Sequence, residues 1–238
     1  MNREPRIVRE SDTWALVWKP HDMPTAPLVC NETGTLLEWF LQRFPEASAV
    51  RGKKAIEHGL VHRLDTGTEG LVLIAKTQNA FDFFDNAQKA SAITKTYRAL
   101  CSRTPDAAIG PDSRVPVRIE SRFRPWGPGG REVKALFPND RGYADAKHNY
   151  CTLVCSIRHI KIDAGTFYGI TCQLDRGARH QVRCHLSQMG YPIIGDSLYN
   201  AERFDVPLQL CANGIDFPDP DSDSRVSVLL QQPDRMSL

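Results

Sequence analysis

The chain has 238 residues, 41% hydrophobic and 24% charged, with a formal net charge of +2 at pH 7. These values are close to those of an average globular protein and exclude fibrous and intrinsically disordered classes. No apolar run approaches the length of a membrane span, and the first residues lack the apolar core of a signal peptide. We therefore expect a cytoplasmic protein that consists of one domain over residues 1–238.

The seven cysteines are scattered along the chain, which suits reduced thiols better than a disulfide framework. His148, Cys151, Cys155 and His159 have nearly the spacing of a zinc site. However, residues 149–162 alternate as one strand, and positions an odd number apart in a strand face opposite sides. We therefore predict no metal site.

In the first part of the chain, runs of β-branched or aromatic residues predict strands, and apolar groups at helical spacing predict helices. In chain order these are a strand at 13–18, a helix at 35–44 capped by Thr33 or Thr35, a strand at 71–76, a helix capped by Thr77 with Phe81, Phe84 and Ala87 on its buried face, and a strand at 93–101.

The second part begins with residues 102–148, where frequent glycine and proline predict long loops with one strand near 131–137. Further on, the pattern predicts strands at 149–162 and 166–174 joined by a turn at 163–165, a helix at 178–189 ended by Gly190, a strand near 207–211 and an apolar run at 226–230. Short strands outnumber helices, which favours an α+β fold with a largely antiparallel, mixed sheet flanked by helices and loops.

The stretch at residues 62–70, HRLDTGTEG, places a short carboxylate in a polar turn directly before an aliphatic strand. Asp65 lies beside His62 and Arg63, and the following glycines allow a sharp turn. This is a typical setting for a reactive acid. A plainer interpretation is that Asp65 only caps the turn and pairs with Arg63.

Three motifs in the same order resemble those of the RluA-type RNA pseudouridine synthases. They are the stretch at 62–70, the KPHDMPT segment at 19–25, and the GARHQVRCHL and GYPIIGDSLY segments at 177–186 and 190–199. The resemblance covers about residues 13–218 and implies a pseudouridine-synthase core without the small S4-type domain of many relatives. It also implies that the protein isomerises specific uridines of ribosomal or transfer RNA.

The resemblance assigns three catalytic roles. Asp65 is the nucleophile, Tyr97 takes the ring-stacking and proton-transfer position, and Arg183 is the cationic partner of Asp65. The target base must be flipped out of the RNA, and Arg63 would fill the vacated space. The remaining residues that we predict to contact RNA are His62, Arg122, Arg124, Arg179 and His180.

The chemistry needs no redox group, group carrier or metal, so we expect no cofactor and a monomer that acts on RNA alone. Residues 114–134 carry a local net charge of +4, more than the whole chain, which is compatible with a face that contacts phosphates. Within them, Arg122-Phe123-Arg124-Pro125-Trp126 mixes guanidinium groups with aromatic rings, a composition that can bind phosphates and stack bases.

Two positions differ from the family's usual motifs, and both bear on substrate choice. Glu69 replaces the serine of Thr-Ser-Gly, and Ala178 displaces the arginine of the C-terminal signature by one residue, to Arg179.

Three other functions are compatible with part of these residues. Asp65-Thr66-Gly67 matches an aspartic protease, but that mechanism needs a second such motif, which the chain lacks. A phosphatase that forms an aspartyl phosphate would need an aspartate at position 67, which is glycine. The remaining alternative is a catalytically silent RNA-binding protein with the same fold.

Overall fold

The computed structural model of the protein describes residues 4–29, 32–110, 114–162 and 165–231. Within these residues the chain forms two compact units. The first contains the described residues of Met1–Thr94 and Cys211–Leu230, and the second those of Lys95–Leu210 and Gln231–Leu238. The expectation of a single domain stays a prediction. Part of the predicted turn, residues 163–164, lies outside the described residues.

Ten strands and three helices occur in the described parts of the chain. In chain order they are β1 (Arg6–Glu10), β2 (Trp14–Lys19), α1 (Leu36–Arg43), β3 (Glu69–Ala75), α2 (Gln78–Lys89), β4 (Thr94–Cys101), β5 (Val117–Trp126), β6 (Glu132–Leu136), β7 (Tyr150–Ile162), β8 (Gly165–Leu174), α3 (Gln181–Gln188), β9 (Leu210–Pro218) and β10 (Arg225–Leu229), with short 3-10 helices at Pro45–Ala49, Ala55–Glu57 and Pro128–Gly130.

The first unit is a mixed sheet with the strand order β1-β2-β3-β9-β10. The β3–β9 pair is parallel, and the other described pairs of this unit are antiparallel. Every residue of β2 and β3 is buried, which explains why these strands are continuous apolar runs instead of alternating ones. Phe217 of β9 lies between Trp14 of β2 and Phe84 of α2, with ring centroids 5.1 and 5.6 Å away.

The second unit is an antiparallel sheet with the strand order β4-β8-β7-β5-β6, and α3 packs on β6 and β7. Two apolar clusters lie in this unit. One consists of Leu100, Phe167 and Ile194, and the other of Val133, Ala135 and Cys184.

The predicted α+β class is confirmed, and so are the two helix caps. Thr35, not Thr33, accepts a hydrogen bond from Glu38 N at 3.1 Å at the start of α1, and Thr77 accepts one from Ala80 N at 3.3 Å at the start of α2. Phe81, Phe84 and Ala87 are buried, as predicted.

Three predictions about elements were wrong, and one strand was missed. The ten-residue strand β5 lies where only loops were expected, because the frequent glycines and prolines of residues 102–148 outweighed its alternating pattern, and β6 and β7 define it by pairing. Helix α3 begins at Gln181 instead of 178, because His180 has a left-handed backbone with φ of 55°. Strand β9 extends to Pro218 instead of ending near 211, and β1 was not predicted.

In the part of the chain that the structure describes, no helix is long and apolar enough to cross a membrane. The six described cysteines are all free thiols. No group of three or more potential metal ligands occurs among the described residues.

Candidate active site

Asp65 lies in a tight turn directly before β3, in the first unit. The turn is closed by a hydrogen bond of 3.0 Å from Thr68 N to Asp65 O. The residue before the aspartate is fixed on both sides of its backbone by one buried hydroxyl. Thr25 Oγ1 donates to Leu64 O at 2.7 Å and accepts from Leu64 N at 3.1 Å. The backbone that presents the short carboxylate is therefore held from two directions.

The turn also rests on a lysine whose role the sequence did not reveal. Lys19, at the end of β2, is fully buried, and its ammonium donates to Pro20 O at 2.9 Å, Met23 O at 2.7 Å and Thr66 O at 3.0 Å. These three carbonyls match the three donors of a protonated lysine. Burial lowers the pKa of Lys19 to about 7, while the charges of Asp65 and two further carboxylates, those of Glu69 and Asp22, act in the opposite direction. With a pKa of about 7, Lys19 is about half protonated at neutral pH, and in that form it supplies positive charge close to the Asp65 turn.

The step from Glu69 to Gly70 joins the turn to the sheet. Gly70 has φ of 133°, and a Cβ there would lie 2.3 Å from Ala212 O of β9. Only glycine allows this close parallel approach. Glu69, where the family usually has serine, is paired with Cys211 and is 9% exposed. The unusual carboxylate is therefore buried close to the charge of Lys19.

His62 and Arg63 flank the turn on the side of the preceding segment. His62 Nε2 accepts a hydrogen bond from Leu73 N at 3.2 Å, which ties that segment to β3. Arg63, with its side chain 47% exposed, forms an ion pair of 3.0 Å with Glu57. The partner that the structure gives Arg63 is thus Glu57, and the plainer interpretation, in which Asp65 only caps the turn and pairs with Arg63, stays untested. The half-exposed guanidinium lies at the surface next to the turn.

Tyr97 lies on β4 in the second unit, opposite Cys172 of β8, and is 8% exposed. Lys95 is on the same face of the strand, as the alternation predicted, and its ammonium donates to Asp175 O at 2.7 Å. The ring of Tyr97 is thus held in a packed sheet.

Arg183 projects from α3 in the second unit and is held by a buried carboxylate. Its Nε and Nη2 each donate to Asp196 at 2.7 Å, a bidentate pair in which the side chains are 10% and 0% exposed. Asp196 also accepts from Leu198 N at 3.0 Å and Tyr199 N at 3.1 Å. Sequence reasoning missed Asp196 as a site residue, although it lies in the quoted segment 190–199.

Tyr199 connects Arg183 to the loop before α3. Its ring lies 5.3 Å from Arg183 Cζ, and its hydroxyl lies 3.1 Å from His180 Nδ1. The same hydroxyl accepts from Val133 N at 2.7 Å. Burial raises the pKa of Tyr199 to about 12, so the phenol stays protonated at neutral pH. His180 therefore lies next to Tyr199, whose ring contacts Arg183. Contact of His180 with RNA stays a prediction.

Three other predicted RNA contacts serve to hold loops of the second unit or lie on its hairpin. Arg122 donates to Tyr143 O and Ala146 O, both at 2.9 Å, and Arg179 donates to Gly130 O and Glu132 O. Arg124 is different, because its guanidinium lies 4.9 Å from the ring centroid of Trp126 and pairs with no carboxylate among the described residues. Contact of these arginines with RNA stays a prediction.

A buried polar network anchors α3 to the sheet. Gln181 Nε2 donates to Thr152 Oγ1 at 3.1 Å, and the Thr152 hydroxyl lies 2.8 Å from His185 Nδ1. His185 Nε2 lies 2.7 Å from Ser121 Oγ. One ring nitrogen of the neutral His185 donates and the other accepts, so both of its hydroxyl partners can be satisfied. Burial lowers the pKa of His185 to about 4, so the ring is neutral at pH 7.

Residues 13–188 match the family model described as RNA pseudouridylate synthase. Among curated proteins, an uncharacterized RNA pseudouridine synthase of Chloroflexus aurantiacus is 32% identical, over 78% of this chain and 51% of that protein. The ribosomal large subunit pseudouridine synthase D of Neisseria meningitidis is 29% identical, over 83% of this chain and 46% of that protein. The chain thus spans about half the length of the curated relatives it matches.

Two solved human structures resemble the fold. RNA pseudouridylate synthase domain containing 1 has a TM-score of 0.72 at 22% identity and covers 97% of this chain and 84% of that one. RNA pseudouridylate synthase domain containing 4 has a TM-score of 0.66 at 17% identity and covers 97% and 89%. The fold is therefore that of a pseudouridylate synthase domain. Together with the family match, it establishes that the chain belongs to the RNA pseudouridylate synthase family, as an RluA-type member.

Proposed function

We propose that this protein is an RNA pseudouridine synthase, which breaks the glycosidic bond of a uridine, turns the uracil over and joins its carbon 5 to the same sugar carbon. The observation that carries the proposal is the family match over residues 13–188, because this range contains Asp65, Tyr97 and Arg183. All heavy atoms of the uridine remain in the product, while the hydrogen on carbon 5 is lost as a proton and the freed N1 gains one, so the reaction consumes no second substrate. The protein has to supply a carboxylate, a proton-transfer group and a pocket that keeps the freed base oriented.

Asp65 is the proposed nucleophile or charge stabiliser at the sugar. Its support is the construction of its turn, with Thr25 on the backbone of Leu64 and Lys19 on Thr66 O. A carboxylate that must stay ionised in a dry site needs positive charge nearby, and buried Lys19 supplies it from within the first unit when it is protonated. Rigid mounting matters because a displacement of about 1 Å at a reacting atom costs about a hundredfold in rate.

Tyr97 is the proposed stacking and proton-transfer residue, and Arg183 is proposed to provide the cation that the resemblance assigns to Asp65. Arg183 is suited to such a role because Asp196 fixes its guanidinium plane by two hydrogen bonds. Arg63, half exposed beside the turn, is proposed to occupy the space that a flipped uridine leaves in the RNA.

The proposed substrate is ribosomal or transfer RNA in the cytoplasm. Ribosomal RNA is the first to test, since several of the relatives are named for the ribosomal large subunit. The test is to map pseudouridines in ribosomal and transfer RNA from cells with the gene, without it, and with Asp65→Asn in its place. We expect at least one pseudouridine to be lost in both altered strains.

Identical maps in the three strains would contradict the proposal. If RNA still copurified with the wild-type protein in that case, the catalytically silent RNA-binding protein would be the better account.

A further inference from the structure

The hairpin of β5 and β6 has one face packed into the second unit and one face turned outward. On the inner face, Phe123 packs against the cluster of Val133, Ala135 and Cys184 and lies 5.0 Å from the ring of His185. The outer face carries Arg124, Trp126 and Lys134. Trp126 is 47% exposed, whereas two of the other three tryptophans, Trp14 and Trp18, are buried. The hairpin therefore presents an aromatic ring to solvent from a well-supported base.

Two cations lie against this exposed ring. Arg124 Cζ is 4.9 Å and Lys134 Nζ is 5.1 Å from the ring centroid of Trp126. Arg124 and Lys134 are direct cross-strand partners and lie on the same face of the hairpin as Trp126. No carboxylate pairs with either cation among the residues that the structure describes. Like charges directly opposite each other destabilise a strand pair, and an anion between them would remove this cost.

The tip of the hairpin adds a third cation. Arg131 is exposed and has no ion pair with any described residue. The nearby carboxylate of Glu132 lies over the backbone of Gly127, where a Cβ would be 3.0 Å from Oε1. An exposed aromatic ring with unpaired cations on its flanks is the arrangement that binds a nucleotide by stacking its base and contacting its phosphates.

The hairpin is hydrogen-bonded to Arg179 and to Tyr199, whose ring contacts Arg183. Arg179 donates to Gly130 O at its tip and to Glu132 O at 2.8 Å, and the Tyr199 hydroxyl bonds Val133 N at 2.7 Å while its ring lies 5.3 Å from Arg183 Cζ. A ligand on the outer face would therefore be held in a defined position relative to Arg183.

We infer that the outer face of the β5–β6 hairpin, with Trp126 flanked by Arg124 and Lys134, is a docking site for an unpaired nucleotide of the RNA substrate. The base stacks on Trp126 and the adjoining phosphates contact Arg124, Lys134 and Arg131. This inference rests on the proposed function, since RNA is the ligand. None of these residues is among the three proposed to take part in the chemical step, so the site sets which RNA is held.

The test uses the purified full chain and a fluorescein-labelled oligouridylate of about ten nucleotides, within the range of single-stranded binding sites. Trp126→Ala should weaken its binding about tenfold, the effect of losing one stacked base. Trp126→Phe keeps an aromatic ring and should retain most of the affinity. Binding should also quench tryptophan fluorescence in the wild type more than in Trp126→Phe, which reports stacking directly.

The phosphate contacts are tested by salt dependence. Arg124→Gln and Lys134→Gln should each reduce the slope of log Kd against log salt by about 0.7, the value for one phosphate contact with a single strand. The matched control is Trp39→Ala, which removes another tryptophan covered by an arginine, Arg43, at 4.7 Å in the first unit. It should leave the affinity unchanged.

The two proposals fail in different ways. If the wild type binds the oligouridylate and all three hairpin positions can be changed without effect on affinity, quenching or salt slope, the docking site is wrong and the proposed function stands. If the wild type binds neither this probe nor structured RNA, both proposals are overturned. Should Trp126→Ala unfold, Trp126→Phe and Arg124→Gln carry the same test through quenching and salt slope.

Discussion

Replacing Asp196 by asparagine should remove the support of Arg183 with almost no change in side-chain shape. Asp196 is fully buried and accepts four hydrogen bonds, two from Arg183 and one each from Leu198 N and Tyr199 N. The amide of asparagine would point a donor at one guanidinium donor and leave the arginine charge uncompensated. Breaking a buried ion pair in this way costs about 3–5 kcal/mol. For a chain of this length we expect the Tm to fall by about 10 °C.

The effect on activity should exceed the effect on folding. If Arg183 acts in catalysis, a guanidinium displaced by about 1 Å should lower kcat about a hundredfold at temperatures where the variant is folded. The assay is thermal unfolding together with single-turnover pseudouridine formation. The control is Asp216→Asn, which breaks the pair with Arg225 on the surface. An exposed pair of this kind contributes at most about 1 kcal/mol.

A double variant separates stability from catalysis. Arg183→Met combined with Asp196→Leu replaces the buried pair by apolar side chains and should restore most of the stability without activity. The reasoning would be refuted if Asp196→Asn matched Asp216→Asn in both Tm and kcat.

Two further predictions concern the fold around the site. Because burial lowers the pKa of His185 to about 4 from 6.5, the folded protein binds fewer protons than the unfolded chain between these values, so the free energy of unfolding should fall by about 3 kcal/mol as the pH drops from 6.5 to 4. The free energy of unfolding, measured with urea across this range, should fall less for His185→Gln than for the wild type, and as much as in the wild type for the exposed His148→Gln. An equal fall in the two variants would contradict the assignment of this pH dependence to His185. Gly70→Ala would place a methyl group 2.3 Å from Ala212 O and should cost about 2 kcal/mol or more, whereas Gly34→Ala, also at positive φ but in open space, should cost less. Chemical denaturation of both variants decides this, and equal costs would show that backbone conformation, not the close approach, determines the effect.

Local signals in the sequence predicted much of the fold. The caps at Thr35 and Thr77 and the apolar stripe of α2 depend on residues within a few positions of one another, and these predictions held. Strand β5 was missed because prolines and glycines are frequent around it, while its pairing with β6 and β7 lies beyond local sequence signals. In β9, the Asn213-Gly214 step has the composition of a turn, yet β10 pairs across it.

The candidate site shows the same contrast between features encoded by neighbouring residues and contacts that form only on folding. Position 65 was recognisable from the motif around it, because the turn is encoded by neighbouring residues. The roles of Lys19 and Asp196 were not, since their partners lie 47 and 13 positions away and only folding reveals these contacts. For Arg63, closeness in sequence suggested Asp65 as one possible partner, whereas the folded chain pairs it with Glu57, six positions away.

The most direct test of the account is tritium release by the purified chain from ribosomal and transfer RNA whose uridines carry tritium at carbon 5. The RNA should come from cells that lack the gene, so that the target uridine is unmodified. We predict release by the wild type and none by Asp65→Asn, with RNA affinity within a few fold, since phosphate contacts supply most of the binding. Turnover by Asp65→Asn, or no release by the wild type from either RNA, would contradict it.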